Sequence, residues 1–211
     1  RIGDKTSFYS IKLNGDKIKK EVYLENHQVA IKIFLEELIN LKIIKSLNEI
    51  GGIGHRVVQG GSKYTKSTKI DDDVIKDIEE YIPLAPLHNP ANLMGIRVTN
   101  EVLPNIPAVA VFDTAFHQTM EADQYIYPVP YEWYKDYKVR RYGFHGTSHK
   151  YLYNTMQQIL KKDDIKVITC HLGNGSSIAA IDNNRVIATS MGFTPLGGIT
   201  MGTRSGDIDP S

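Results

Sequence analysis

Three segments in the second half of the chain are crowded with Gly, His, Arg, Ser and Thr, and each stands beside an apolar stretch. They are RYGFHGTSH (141–149), HLGNGSS (171–177) and MGTRSGDIDP (201–210). Glycine adopts backbone conformations that other residues avoid, and the polar side chains offer hydrogen-bond donors. The pattern predicts loops that hold an anionic ligand at the edge of a sheet, and a phosphate-handling enzyme is the first hypothesis.

Strand and helix patterns alternate along the chain. Residues 7–24 alternate polar and apolar side chains around Asn14-Gly15, a pair that favours a tight hairpin, and Asn183-Asn184 is a second predicted turn. Between about 26 and 46, apolar residues recur at three- and four-residue steps, which predicts an amphipathic helix. Further helices are predicted at 71–81, 89–103, 131–138 and 147–162, and strands at 49–58, 107–112, 166–170, 177–182 and 185–190. This alternation is typical of the α/β class.

The bulk composition excludes several classes of partner. The 25 Lys and Arg against 24 Asp and Glu leave a net charge of +1, so any anion site must be local and nucleic acid is not an expected partner. No stretch approaches the roughly 18 apolar residues of a membrane span, and no charged-then-apolar leader is seen. The single cysteine, Cys170, closes the apolar run VITC, where we expect a buried, inert thiol. Together these features predict a cytoplasmic protein without a membrane partner.

Charged and imidazole side chains follow several of the predicted strands. Arg56 ends GGIGHR, Asp113 ends AVAVFD, His171 follows VITC, and both His145 and Arg204 lie among glycines. Ligands of open α/β sheets bind at the carboxyl ends of strands. Phosphoryl transfer needs cations and oriented donors around the moving group, together with a carboxylate. We therefore predict that these five residues share one phosphoryl-transfer site.

The glycines of HLGNGSS carry a separate prediction. Gly173 and Gly175 are expected in left-handed conformations that turn successive N–H groups toward one anion, and Asn174, Ser176 and Ser177 add donors. The segment is not a Walker A loop, because no Lys-Ser or Lys-Thr follows it.

Structural explanations remain open for several of these side chains. Asp113 could cap a turn by bonding its own backbone, and His88 could cover the helix that begins at Asn89-Pro90. The remaining histidines are interpreted as structural residues, and the Tyr-rich stretch at 125–137 as packing or interface residues. Those histidines are His27, His55, His117 and His149.

Seven ordered motifs from about residue 21 onward together resemble the acetate kinase family. They are GHRVVQGG (54–61), APLHNPAN (85–92), VFDTAFHQTM (111–120), RYGFHGTSH, CHLGNGSS (170–177), SMGFTPLGG (190–198) and MGTRSGDIDP. The resemblance implies the sugar kinase, Hsp70 and actin-like (ribonuclease H-like) fold, in which two related domains clasp a nucleotide. It also implies reversible transfer of phosphate from ATP to acetate, giving acetyl phosphate and ADP.

The resemblance assigns roles to individual residues. Arg56 and Arg204 would bracket the phosphoryl group, His145 would donate a hydrogen bond to it, and Asp113 would be the catalytic carboxylate. In that role Asp113 would either reach Mg²⁺ or Mn²⁺ through water or orient the acetate oxygen. The implied acetate-binding residues are Arg56, His88, Val58, Leu87, Phe144 and Pro195, and those that cradle the ATP phosphates are His171, Leu172, Gly173, Asn174 and Gly175.

The resemblance also implies an organisation. Residues 1–114 would form the N-terminal domain without its first phosphate-binding hairpin, and residues 115–211 would begin the second domain. We expect a piece of a longer protein, inactive by itself, that forms a homodimer when complete. A propionate or butyrate kinase of the same family and a non-catalytic fragment remain alternatives.

Overall fold

The computed structural model describes residues 2–4 and 6–209. Three residues used in the predictions lie outside the described residues. They are Arg1, the first residue of the predicted N-terminal domain, Ser211, the last of the second, and Pro210 of the third loop segment. The strands are β1 (Phe8–Leu13), β2 (Asp16–Glu21), β3 (Ile53–Val57), β4 (Thr68–Lys69), β5 (Ala108–Phe112), β6 (Lys166–His171), β7 (Ser177–Asp182) and β8 (Arg185–Thr189). The α-helices are α1 (His27–Asn40), α2 (Asp72–Glu80), α3 (Asn89–Val102), α4 (Ala122–Tyr125), α5 (Tyr131–Tyr137) and α6 (Gly146–Leu160), and short 3-10 turns lie at Leu47–Glu49, Ile82–Leu84 and Phe116–Thr119.

The strands form sheets of the orders β1-β2, β3-β5-β4 and β6-β7-β8. In the last of these, β7 pairs antiparallel with both of its neighbours. β5 is the central strand of its sheet, and it alternates buried and half-buried side chains. The mixed α/β class that the sequence predicts is therefore confirmed.

Both predicted hairpin turns are confirmed. Asn14 and Gly15 have φ of 52° and 95°, and Asn183 and Asn184 have φ of 47° and 62°. Two-residue turns with positive φ at both positions match the twist of the flanking strands, and Asn and Gly adopt this conformation most readily. The local sequence thus sets the register of both hairpins.

The residues that cap a helix predict its ends better than the spacing of its apolar residues does. The Asp71 side chain accepts a hydrogen bond from Val74 N at the start of α2, as its position in the sequence suggests. Helix α1 ends at Asn40, six residues before the predicted end, because Lys42 turns left-handed with φ 57°. Ile43 N then donates to Leu38 O, which closes the last turn without a glycine.

The described chain divides into two compact units. One comprises the residues up to His55 together with Ala91–Ala108, and the other comprises Arg56–Pro90 together with the residues from Val109 onward. This division differs from the predicted domain boundary at Thr114. That boundary refers to the two domains that the family resemblance implies, and it stays a prediction. Among the described residues, no helix has the length and apolar character needed to cross a membrane.

One core cluster of the second unit lies between the β6-β7-β8 sheet, helix α6 and the 3-10 turn at Phe116–Thr119. Its buried members are Phe116, Met120, Tyr153, Ile165, Ala179, Ile181 and Val186. The opposite face of β6 is open, since Ile168 is 73% exposed and Cys170 is exposed as well. The prediction of a buried Cys170 is wrong, because the run VITC places its side chains alternately on the two faces of an edge strand.

We expect Ile181→Ala to lower the free energy of unfolding by about 2 to 5 kcal/mol, because Ile181 is only 2% exposed and its removal leaves a cavity. Ile168→Ala is the matched control on the same sheet, and we expect a change within about 0.5 kcal/mol. Urea denaturation of both variants measures the difference. Equal losses of stability would mean that the two faces of this sheet are assigned wrongly.

Candidate active site

A bidentate ion pair joins the predicted catalytic carboxylate to the first predicted arginine. Arg56 Nε and Nη2 donate to Asp113 Oδ1 and Oδ2 at 3.0 and 2.6 Å. The Asp113 side chain is only 3% exposed, whereas that of Arg56 is 64% exposed. Hydrogen bonding to Asp113 raises the pKa of Arg56. A buried carboxylate thus holds the inner edge of a guanidinium whose outer part faces solvent.

The backbone of Asp113 connects three segments of the second unit. Its N–H donates to Val57 O at 2.9 Å, and its carbonyl oxygen accepts from Gly146 N at 2.9 Å. A side chain at Gly146 would place its Cβ 2.4 Å from Asp113 O. Helix α6 can therefore begin beside Asp113 only because residue 146 is glycine.

His145 precedes helix α6 in a left-handed conformation, with φ 58° and ψ 23°. Non-glycine residues adopt this region rarely, and such residues cluster at functional sites. The imidazole stacks on that of His171 with ring centroids 4.0 Å apart, and His171 Nδ1 is 2.9 Å from Ser148 Oγ. Burial, followed by the neighbouring His171, lowers the pKa of His145 to about 4; the charges of Arg56 and Arg204 act in the same direction, and Asp113 opposes them.

Arg204 is carried by a loop that closes on itself. Gly198 N donates to Asp207 Oδ1, Asp207 N donates to Gly198 O, and Met201 N donates to Arg204 O, at 2.8, 2.8 and 2.9 Å. The Arg204 guanidinium donates to Pro195 O at 2.6 Å. This loop brings Arg204 next to the HLGNGSS segment.

Gly175 lies between the second arginine and the histidine. A Cβ at this position would lie 2.4 Å from Arg204 Nη2 and 3.3 Å from His145 Nε2. Neither Gly173 nor Gly175 has positive φ, so the predicted left-handed turns there are wrong. The loop is instead closed by Ser176 Oγ, which bonds both Gly173 N and Gly173 O. The glycine at 175 is needed for close approach rather than for an unusual backbone angle.

The structure therefore brings together Arg56, Asp113, His145, His171 and Arg204. His88 belongs to the same group, because burial and then the charges of Arg56 and Arg204 lower its pKa. The loop residues Leu172, Gly173 and Asn174 are exposed beside them.

The residues expected to line an apolar pocket are only partly brought together. Val58 and Phe144 share a buried cluster with Tyr142, Met191 and Met201. Pro195 is half-buried and contacts Arg204 through its carbonyl oxygen. Leu87 does not join this cluster, since its side chain is 86% exposed.

Two histidines that were predicted to be structural contact residues of the site from the buried side. His149 is buried and bonds Ser177 Oγ at 2.8 Å, and Ser177 Oγ in turn lies 2.9 Å from His145 Nδ1. His117 is buried and lies 2.8 Å from Phe144 O. The spacing of four residues between His145 and His149 does not indicate this pair, because His145 precedes the helix in a left-handed conformation and His149 lies within it.

A metal ion would have one carboxylate to approach in this group. In the described part of the chain, no cluster of three or more His, Cys, Asp or Glu side chains is arranged to hold a metal. Both oxygens of Asp113 are bonded to Arg56, but each carboxylate oxygen has a further lone pair. Mg²⁺ keeps several waters and commonly uses one or two carboxylates together with substrate phosphates. The donor set, one carboxylate with open lone pairs, therefore fits a Mg²⁺ ion that keeps most of its waters.

Comparison with known proteins gives consistent matches along the chain. Residues 1–211 match the model of the Acetokinase family. An acetate kinase of Bacillus velezensis is 55% identical over 213 residues, which cover 100% of this chain and 54% of that protein. The crystal structure of Porphyromonas gingivalis acetate kinase is 47% identical with a TM-score of 0.92, covering 99% of this chain and 54% of that one. A propionate kinase structure from Francisella tularensis is 44% identical with a TM-score of 0.93, covering 99% and 53%.

The chain thus spans about half the length of the relatives it matches. The shared fold with these structures bears out the actin-like fold expected from the sequence.

We expect the chain to lose stability as the pH falls from 6.5 toward 5. Burial lowers the pKa of His117 to about 4 and that of His149 to about 3, from 6.5. The folded chain therefore keeps both rings neutral, while unfolding lets each take up a proton. Stability is fully present above pH 6.5 and is lost below it, by at most about 1.4 kcal/mol per pH unit for each ring.

Urea denaturation at pH 7.5, 6.5, 5.75 and 5 measures this loss. His117→Gln, which removes one of the two buried rings, should reduce the slope over the same interval. Identical slopes for the two proteins would exclude His117 as a source of the pH dependence.

Proposed function

Because the chain belongs to the acetokinase family, we propose that the complete protein containing it transfers phosphate reversibly between ATP and acetate, giving acetyl phosphate and ADP. The observation that carries this proposal is the convergence of Arg56, Asp113, His145 and Arg204 within one compact unit. Acetate and the γ-phosphate are both anions, so their approach needs positive charge between them. Two guanidinium groups supply that charge.

The surroundings of each residue support the role proposed for it. Arg204 donates to a neutral carbonyl oxygen, so its positive charge is available to the transferring phosphoryl group. Arg56 is held at its inner edge by Asp113, and its exposed nitrogens can bind the acetate carboxylate or the phosphoryl oxygens. His88 would support the bound acid, and His145 would contact the phosphoryl group. The loop from His171 to Gly175 would hold the ATP phosphates beside Arg204.

Mg²⁺ or Mn²⁺ would accompany the nucleotide, with Asp113 reaching it through water. Such an ion neutralises charge on the phosphate oxygens and orients them. The family resemblance supports a homodimer, the composition of the sequence supports a cytoplasmic location, and both stay predictions. Inactivity of the 211 residues by themselves is likewise a prediction.

A propionate kinase is the second candidate, favoured by the similarity to the Francisella tularensis structure. Val58 and Phe144 would form part of the wall around the methyl group, since both are buried in one cluster of this unit. One methylene is worth only about 1 to 3 kcal/mol of discrimination in an apolar pocket, so small changes in this wall decide the preferred acid. The rate of acyl phosphate formation with acetate, propionate and butyrate distinguishes the candidates.

We expect Arg204→Ala in the complete protein to lower kcat by about 10³-fold or more, with a much smaller rise in KM for acetate. An arginine acts on charge that develops in the transition state, so its loss affects turnover more than binding. Trapping of acetyl phosphate at saturating ATP measures both constants. Arg185→Ala is the matched control, because Arg185 pairs with Glu121 on the surface. A kcat equal to that of the Arg185 variant would remove Arg204 from the mechanism.

We expect Val58→Ala to raise the ratio of kcat/KM for propionate over acetate by about tenfold, because it enlarges the proposed methyl pocket. Val186→Ala removes the same atoms from the separate cluster around Ile181 and should leave the ratio unchanged. Equal ratios for the two variants would mean that Val58 does not line the acid site.

A further inference from the structure

Four side chains form a continuous hydrogen-bonded series from the interior to the proposed active site. His149 Nδ1 lies 2.7 Å from Thr169 Oγ1, and His149 Nε2 lies 2.8 Å from Ser177 Oγ. Ser177 Oγ also lies 2.9 Å from His145 Nδ1. Thr169, His149 and Ser177 are buried, so water does not compete for these bonds. We call this series the His145 relay.

The direction of each bond follows from the innermost member. Ala179 O, at 3.4 Å, is a backbone acceptor within reach of the Thr169 hydroxyl hydrogen; with the hydrogen directed there, Thr169 Oγ1 accepts from His149 Nδ1–H. A neutral imidazole carries one N–H and one lone pair, so His149 Nε2 must accept the hydrogen of Ser177. With its only hydrogen used, Ser177 Oγ accepts from His145. His145 must then carry its proton on Nδ1.

The outer end of the relay agrees with this direction. His145 Nε2 lies on the Arg204 side of the site, as the position of Gly175 between them indicates. Cationic groups favour a lone pair over an N–H directed at them. Burial also lowers the pKa values of His145 and His149 to about 4 and about 3, so neither ring carries a second proton near neutral pH.

We propose that Thr169, His149 and Ser177 are positioning residues that hold neutral His145 as its Nδ1–H tautomer, with Nε2 facing Arg204 as a hydrogen-bond acceptor. The tautomer of His145 does not depend on the reaction catalysed. What it means for the contact of His145 with a phosphoryl oxygen rests on the proposed function. Neutral His145 accepts hydrogen bonds at Nε2, from a guanidinium N–H or a water. It donates to a phosphoryl oxygen only after Nε2 takes up a proton.

Long-range ¹H–¹⁵N NMR of the imidazole nitrogens tests this directly on the 211-residue chain at pH 7.5. Histidine is labelled with ¹⁵N, and His145→Gln and His149→Gln identify the signals of these two rings among the seven histidines. We expect His145 and His149 each to carry the proton on Nδ1. The ratio of tautomers should be about ten to one, the preference that one net hydrogen bond gives.

Variants of the relay separate its effect from that of general packing. Ser177→Ala should reduce the His145 ratio toward one to one. Thr169→Val removes a hydroxyl that does not contact His145, yet it should change the His145 ratio through the two intervening residues. Thr169→Ser keeps the hydroxyl and should keep the ratio.

Two matched controls lack any bond to the relay. Ser176→Ala removes a neighbouring buried hydroxyl whose bonds within the described chain are to Gly173, and Thr189→Val removes one that donates to Ile178 O. Both should leave the His145 ratio unchanged. If Ser177→Ala does not fold, Thr169→Val still tests the proposal, because valine and threonine have nearly the same shape and the substitution leaves no cavity.

An Nε2–H tautomer of His145 in the unmodified chain would overturn the proposal. So would an unchanged ratio in Thr169→Val or Ser177→Ala. Because the spectra require neither ATP nor acetate, an absence of kinase activity would contradict the proposed function and leave this result standing.

Discussion

A buried carboxylate, Asp113, is the constraint on which the arrangement of the second unit depends. Its side chain binds Arg56, its N–H binds the end of β3, and its carbonyl oxygen binds the first residue of α6. Unpaired polar groups are costly in a protein interior, so each of these partners has to be in place. The start of α6 is thereby fixed, and with it the left-handed His145 that precedes it. One residue thus sets the positions of a guanidinium and an imidazole that are distant in the sequence.

Stability alone does not account for an ion pair at this position. Replacing a buried ion pair by apolar side chains of similar volume is often neutral or stabilising, whereas removing one partner is costly. Arg56 is moreover largely exposed, so solvent weakens its attraction to Asp113. The pair is better explained by what it presents, which is a guanidinium held in one orientation with free donors on its outer side. Departures from an apolar interior of this kind are expected at functional sites.

The sequence predicted features whose causes are local. Asn14-Gly15 and Asp71 act through their own backbone and their nearest neighbours, so the hairpin and the start of α2 could be located from them. The exposure of Cys170 could not, because an apolar strand does not reveal which of its faces another element covers. Gly175 was assigned the wrong reason, since only the fold brings Arg204 against it. The roles of His149 and Ser177 depend on β6, β7 and α6 meeting, which no single segment encodes.

The imidazole of His145 stays neutral beside two arginines and can still take up a proton. Burial, the neighbouring His171 and the charges of Arg56 and Arg204 all lower the pKa of His145, and Asp113 alone among the identified causes raises it. An anion arriving between the arginines would shift that balance, because an opposite charge nearby favours the charged form of a base. The relay behind His145 makes this change directional. Nδ1 is already bonded to Ser177, so a proton can be added only at Nε2, on the Arg204 side of the site, where the proposed anion would bind.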